Sequence, residues 1–409
     1  MVKKLYLLLI SLILVGCTTN SNEAFRLNEI GIEEYNNKKY EEALEKFIEA
    51  AKKKSSPEYY QNQGMVLIQL EEYEIAIDVL KKALNHKNIP SEVYFLLGIG
   101  SMYIGDYNDA LNYFDKVIDI DRKNIEAYLH KAVVQERLDN RDEAANTYNI
   151  ILESHPEDKR IWNEKGLMFN KFGEYEEAIM SFNQAIIIDN DFGEAYNNRG
   201  VSYINLNLLD EAINDFEKAK TLLNASEVDL NIAIYYGKQQ EVELALEYFN
   251  KVKNNNPTGK AYLLRGLFYM DNGDKNKGIM DLEKAFEKEE WRALLHLGIQ
   301  FENALDYNKA LEYYSLYNQL ENAPWINNKI GVIQIKLKEY DEALKFFKRA
   351  NELLPQNQEI LFNIATTYQL LKLYDEAKKY LEEIIEINPH NEEVIKELNF
   401  LTQLMPLTS

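Results

Sequence analysis

The sequence predicts an all-α fold, a solenoid of paired helices. Three observations carry that prediction. Glycine and proline number only 17 and 8 in 409 residues, too few for turn-rich β architecture. A phrase made of an aromatic residue, two residues that are often acidic and an alanine recurs along most of the chain. Its last residue falls at Ala43, Ala76, Ala110, Ala144, Ala178, Ala212, Ala245, Gly278, Ala310, Ala343 and Ala377, a spacing of 32 to 34 residues throughout. Four residues after every such anchor stands a large apolar side chain, as at Phe47, Phe114, Phe216 and Leu282, and that interval puts both on one helix face. With hydrophobic residues at 46%, the chain has the material for a packed core and is not a disordered polymer.

From the first residue, Lys3 and Lys4 precede an apolar run from Leu5 to Val15 interrupted only by Ser11. These eleven residues are too few to span about 30 Å of hydrocarbon, and a basic start before a short apolar stretch marks a secretion signal. The run ends in Leu14, Val15, Gly16 and Cys17, which resembles the lipobox of bacterial lipoproteins; Cys17 is the only cysteine. That resemblance implies a diacylglycerol thioether on Cys17, cleavage after Gly16 and acylation of the new amino terminus. Residues 1–16 are then a signal peptide and 17–23 a lipidated terminus and tether. Two or three acyl chains anchor stably without a transmembrane helix. Thr18 stands where an Asp would retain a lipoprotein at the inner membrane, so a two-membrane source would favour the outer membrane.

Within the repeated region, twelve residues before the anchors stands a Gly or Ala: Gly31, Gly64, Gly98, Ala132, Gly166, Gly200, Ala233, Gly266, Gly298, Gly331 and Ala365. Glycine inside a helix costs up to about 1 kcal/mol relative to alanine, so its recurrence implies two helices in close approach. Pro156, Pro257, Pro355 and Pro389 stop the second helix of their repeats, and Gly105, Gly173 and Gly273 mark the turn between helices. The pattern resembles the tetratricopeptide repeat, a helix-turn-helix unit of 34 residues, over about residues 24–391 in eleven units. The resemblance implies a right-handed superhelix whose first helices line a concave face. Gly278, the 32-residue gap after it and bulky Tyr317 break the regularity, so changed curvature is expected over 274–322. In the tail, 392–409, the spacing of Val394, Ile395, Leu398 and Leu401 predicts a capping helix from Glu392 to Leu404.

Against 46 Lys+Arg stand 67 Asp+Glu, a net charge of -21 that repels phosphate backbones and argues against nucleic acid. One cysteine and five scattered histidines offer no Cys/His metal set, and no cofactor motif occurs. No nucleophile, base and orienting group can be placed together, so the expectation is not an enzyme. In the resembled family, side chains at the fifth and ninth places of each repeat point into the concave groove. Here these are Phe95 and Ile99, Leu129 and Val133, Leu230 and Ile234, Leu263 and Leu267, Leu295 and Ile299, with Asn163 and Asn197 at two further fifth places. Family members use such asparagines to hold the backbone of an extended peptide. The Lys/Asn set that clamps a chaperone carboxylate is missing. The expected function is a non-enzymatic, lipid-anchored scaffold at the bacterial cell envelope that binds a protein or peptide segment in the groove. The alternative is an adaptor for wall or surface glycan, with Tyr35, Tyr103 and Trp325 as stacking platforms.

Overall fold

A computed structural model describes residues 20–223, 225–254 and 257–404; the signal peptide and Cys17 lie outside the described residues. Among the described residues the chain forms twenty-three helices and no strand. The first helix spans 20–36, so residues 20–23, placed in the tether by sequence, are helical. The last is Glu392–Leu404, which packs on the second helix of the eleventh repeat. No helix among the described residues is long and apolar enough to cross a membrane.

The helices fall into two compact bodies, one ending at residue 224 and the other beginning at 225. In each, the two helices of a repeat pack tightly on one another and then on the next repeat. This is an α-solenoid arrangement. Local sequence sets the helix ends: Asn124, Thr258 and Asn357 accept from the backbone N–H three residues on. Acidic pairs such as Glu41 and Glu42 open the second helices, complementing their dipoles.

The core lies between the two helices of each repeat. Every anchor alanine is fully buried, and four residues on Phe47, Leu80, Phe114, Phe182, Phe216, Leu282, Tyr314, Phe347 and Leu381 are fully buried too. The recurrent glycines face these side chains: a Cβ on Gly200 would stand 2.6 Å from a ring carbon of Phe216. Close approach, and not turn geometry, is what those glycines provide. In the irregular stretch, the Met270 side chain occupies the space beside Gly278. Buried Tyr317 packs between Trp291 and Trp325, with ring centroids 5.5 and 5.7 Å away.

The turn between the helices has one geometry in all eleven repeats, with a left-handed residue at the same place. It is Gly at 105, 173 and 273, but Lys38, Glu71, Asp139, Asn207, Gln240, Leu305, Lys338 and Lys372 elsewhere. At Leu305 (φ 61) the motif is closed by Asp306 N–H donating to the Phe301 carbonyl at 2.9 Å. An L-residue there costs about 1–2 kcal/mol, and the 69% exposed Leu305 side chain recovers little by packing. Leu305→Gly is therefore expected to stabilise the C-terminal body by about 0.5–1 kcal/mol, after glycine's larger unfolded-state entropy is subtracted. A melting temperature that fails to rise would contradict this account of the turn.

Candidate functional site

Clefts open on the first-helix faces of both bodies. In the N-terminal body, Ile125–Arg137, Lys159–Lys171 and the start of Gly193–Asn205 enclose about 360 Å³. Its lining includes Leu129, Val133 and Asn163 from the sequence-derived set, with Phe192 at one end and Glu126, Glu164 and Glu194 around it. Arg160 also reaches this cleft, but its guanidinium is held by Asp158 through Nε at 3.2 Å and Nη2 at 2.8 Å. His130 stacks on Phe114 at 5.7 Å and meets the edge of Phe95 at 5.4 Å; burial pushes its pKa down, so it is neutral at pH 7.

Burial and the neighbouring carboxylates of Glu136 and Glu194 push the Glu164 pKa up. A carboxyl with a raised folded pKa contributes stability at low pH and loses it as pH rises through that value. Glu164→Gln is expected to stabilise the protein at pH 7 by less than about 1 kcal/mol, since the group is partly solvated. The gain should vanish as pH falls toward the ordinary glutamate range. Melting curves of both proteins across that range check the sign.

In the C-terminal body, Ser226–Lys238 and Gly259–Asp271 flank a larger cleft of about 720 Å³. Ile234 and Leu267, both half-buried, line it with Leu264 and Phe268, above Phe249.

Family models described as tetratricopeptide repeat match residues 57–85, 105–165, 193–222, 259–287 and 334–398, and one described as TPR repeat matches 166–207. These are tetratricopeptide repeats. A tetratricopeptide repeat protein from Parabacteroides merdae superposes with TM-score 0.50 at 19% identity, over 57% of this chain and 93% of that one. Yeast Tom70 aligns over 94% of this chain and 96% of its own, with TM-score 0.46 and 16% identity. YrrB, a TPR protein with an unusual peptide-binding site, aligns over 44% and 92% with TM-score 0.37 and 21% identity. No curated protein matches the sequence.

Within these tetratricopeptide repeats, part of the sequence-derived groove is not surface. Ile99, Leu230 and Leu263 are only 8%, 4% and 5% exposed. Each joins a core cluster with the first helix of the following repeat: Ile99 with Val134, Leu230 with Ala261, Leu263 with Ala293 and Leu297. Leu295 and Ile299 are half-buried and pack against the core cluster that includes Tyr314, Ile326 and Ile330, so six aliphatic side chains do not form one open strip. Phe95 is half-buried on Phe114. Asn163 and Asn197 are buried as well. Asn163 Oδ1 accepts from Asn198 Nδ2 of the next repeat at 3.0 Å, and the same rung links Asn28 to Asn62 and Asn328 to Asn363.

The glycan alternative gains no support. Tyr103 lies face to face with Tyr73 at 4.6 Å, and Tyr35 packs on Tyr40. Trp325 rests against Tyr317, on the rim of a third cleft of about 480 Å³.

Sequence reading missed a polar clamp at the seventh place of four tetratricopeptide repeats. Lys131, Lys165, Arg199 and Arg265 each reach back to the second helix of the preceding repeat, at Asp115, Asn149, Asn183 and Asn250. Arg199 and Arg265 also form two-pronged ion pairs with Asp215 and Asp281 of their own repeat. The visible signal was an arginine followed sixteen residues later by an aspartate, twice.

Proposed function

We propose that the protein is a non-enzymatic scaffold that holds a segment of another protein against the first-helix faces of its repeats, anchored by lipid at the bacterial cell envelope. The observation that carries the binding part is the cleft of about 720 Å³ in the C-terminal body. Ile234, Leu264, Leu267 and Phe268 gather apolar surface there from two successive first helices. A pocket of that size and character suits one or two apolar side chains of a bound segment. The anchoring part rests on the sequence alone: Leu14 to Cys17 after a short apolar run, and the absence of any other cysteine. The outer membrane is the favoured location in a two-membrane source.

The test uses full-length protein purified in detergent from its own envelope. Partners recovered with the wild type should be lost with Leu267→Glu, while both proteins melt within about 1 kcal/mol of each other, as a half-buried rim position allows. An unchanged set of partners would remove this cleft from the reading. Cys17→Ala should abolish incorporation of a fatty-acid probe; continued labelling would remove the lipid anchor.

A further inference from the structure

We propose that one edge of the first two repeats docks on the bilayer that holds the lipid anchor, with its lysines against anionic lipid headgroups and Phe25 in the interface. The inference rests on the anchored-scaffold reading for the nearness of a membrane, and adds the surface of the fold that faces it.

The first observation is the length of the tether. Helix begins at Asn20, so only Thr18 and Thr19 separate it from Cys17. Even fully extended, three residues reach only about 11 Å. That is close to the Debye length of about 8 Å at physiological salt, so the start of this helix lies at the border of a charged bilayer's field.

The second is charge. Lys53 Nζ lies 2.9 Å from Glu23 and Lys54 Nζ donates to Ser21 at 3.1 Å, which sets the end of Tyr40–Lys53 beside the start of the first helix. Ser55 Oγ and His86 Nε2 meet at 3.0 Å, which joins the end of Tyr73–Ala83 to the same edge. Along it Lys52, Lys53, Lys54, Lys81, Lys82 and Lys87 are all exposed, against the carboxylates of Glu23, Glu58 and Glu92. Of the six lysines, only Lys53 has an ion pair among the described residues. Such a basic excess stands out in a chain of net charge -21. It ends with the second repeat: the corresponding stretch of the third holds Asp119, Asp121 and Glu126 against Arg122 and Lys123.

The third is an aromatic ring. Phe25 is 61% exposed near the start of the first helix, with exposed Arg26 beside it, while Ala24 and Asn28 are buried. Helical side chains tilt toward the helix N-terminus, which here is the end next to the anchor. A ring flanked by cations suits the boundary of headgroups and acyl chains, where the ring leaves water and the cations stay at the phosphates. An acidic surface without apolar depth would satisfy the lysines and leave Phe25 in water.

The experiment reconstitutes the full-length lipidated protein in vesicles of phosphatidylcholine mixed with phosphatidylglycerol, or of phosphatidylcholine alone. Cys17 is the only cysteine and is blocked by its lipid, so one added cysteine takes a thiol-reactive fluorophore selectively. Asn85→Cys labels the lysine edge and Asn37→Cys the exposed turn at the other end of the helices. With a quencher carried on the lipid, the label at Asn85→Cys should lose most of its emission in the mixed vesicles and the label at Asn37→Cys little. Lys81→Gln/Lys82→Gln/Lys87→Gln should lower the docked population roughly a hundredfold, at about fivefold per lysine, and restore the emission without changing thermal stability. Added salt should act in the same direction, and Phe25→Ala should restore part of the emission. Equal loss at both labels, or a loss at Asn85→Cys that persists in the lysine variant and in pure phosphatidylcholine, would overturn the inference while fatty-acid labelling of Cys17 keeps the anchor. If Phe25→Ala converts a dimer in detergent to a monomer, a second copy covers this ring and the inference falls. An unlabelled Cys17 with lysine-dependent flotation on the mixed vesicles removes the anchor and keeps the docking edge. An unlabelled Cys17 with no flotation defeats both.

Discussion

Replacing Arg265 by alanine is expected to cost the C-terminal body about 3–5 kcal/mol, the range for breaking a buried ion pair on one side. The pair is almost dry, with side-chain exposures of 4% for Arg265 and 6% for Asp281. Nε donates to one carboxylate oxygen at 2.6 Å and Nη2 to the other at 2.8 Å, while Nη1 donates to Asn250 at 2.8 Å. One guanidinium thus ties the two helices of the eighth repeat together and fastens them to the seventh. Its removal leaves the Asp281 carboxylate with no cation and leaves Asn250 without its donor. Repeats are stabilised only by their neighbours, so the loss should appear as an early, partial unfolding step in urea and not as a uniform shift of the whole chain. The control is Arg265→Met with Asp281→Leu, which removes both charges and fills the space; it should recover most of the stability. A single transition unchanged within 1 kcal/mol in Arg265→Ala would show that the pair contributes little.

What the sequence revealed and what it hid follow from where each contact partner lies along the chain. The anchors, the aromatic four residues on and the facing glycine belong to one repeat, and Gly200 and Phe216 are sixteen residues apart in every copy of the pattern. A contact at fixed separation, repeated eleven times, is a one-dimensional signal, and the helix pairs with their core were legible from it. The burial of Ile99, Leu230 and Leu263 depends on the following repeat, which covers the fifth place or, for Ile99, the ninth to a degree set by that neighbour's side chains. Pattern alone assigns these three side chains to a groove; packing assigns them to the core. The turn shows the same limit from the backbone side. Three glycines advertised it, yet Leu305 or Lys372 adopts the same left-handed conformation because the closing hydrogen bonds and the packed helices on either side hold it there. The candidate cleft of the N-terminal body was half legible: Leu129, Val133 and Asn163 were in the expected set, whereas Glu126, Glu164 and Glu194 belong to three successive repeats and carry no motif that would single them out.

That difference between core and rim can be read in one pair of substitutions, for which sequence alone expects equal tolerance. Leu263→Glu is expected to cost about 3–5 kcal/mol, because the new carboxylate would be placed among Leu282, Ala285, Ala293 and Leu297 with no cation in the cluster. Leu267→Glu, one turn further along the same helix, should cost less than about 1 kcal/mol, since its side chain lines the open cleft and a charge there keeps its water. Urea titrations of both variants, each followed by helical circular dichroism, give the two numbers directly. Large losses in both would close the cleft as a binding surface and return Leu267 to the core. Small losses in both would mean that the first helix of the ninth repeat does not cover Leu263 in solution. Only the unequal outcome keeps a surface at Leu267 that a partner's apolar side chain can reach while Leu263, four residues away, holds two repeats together.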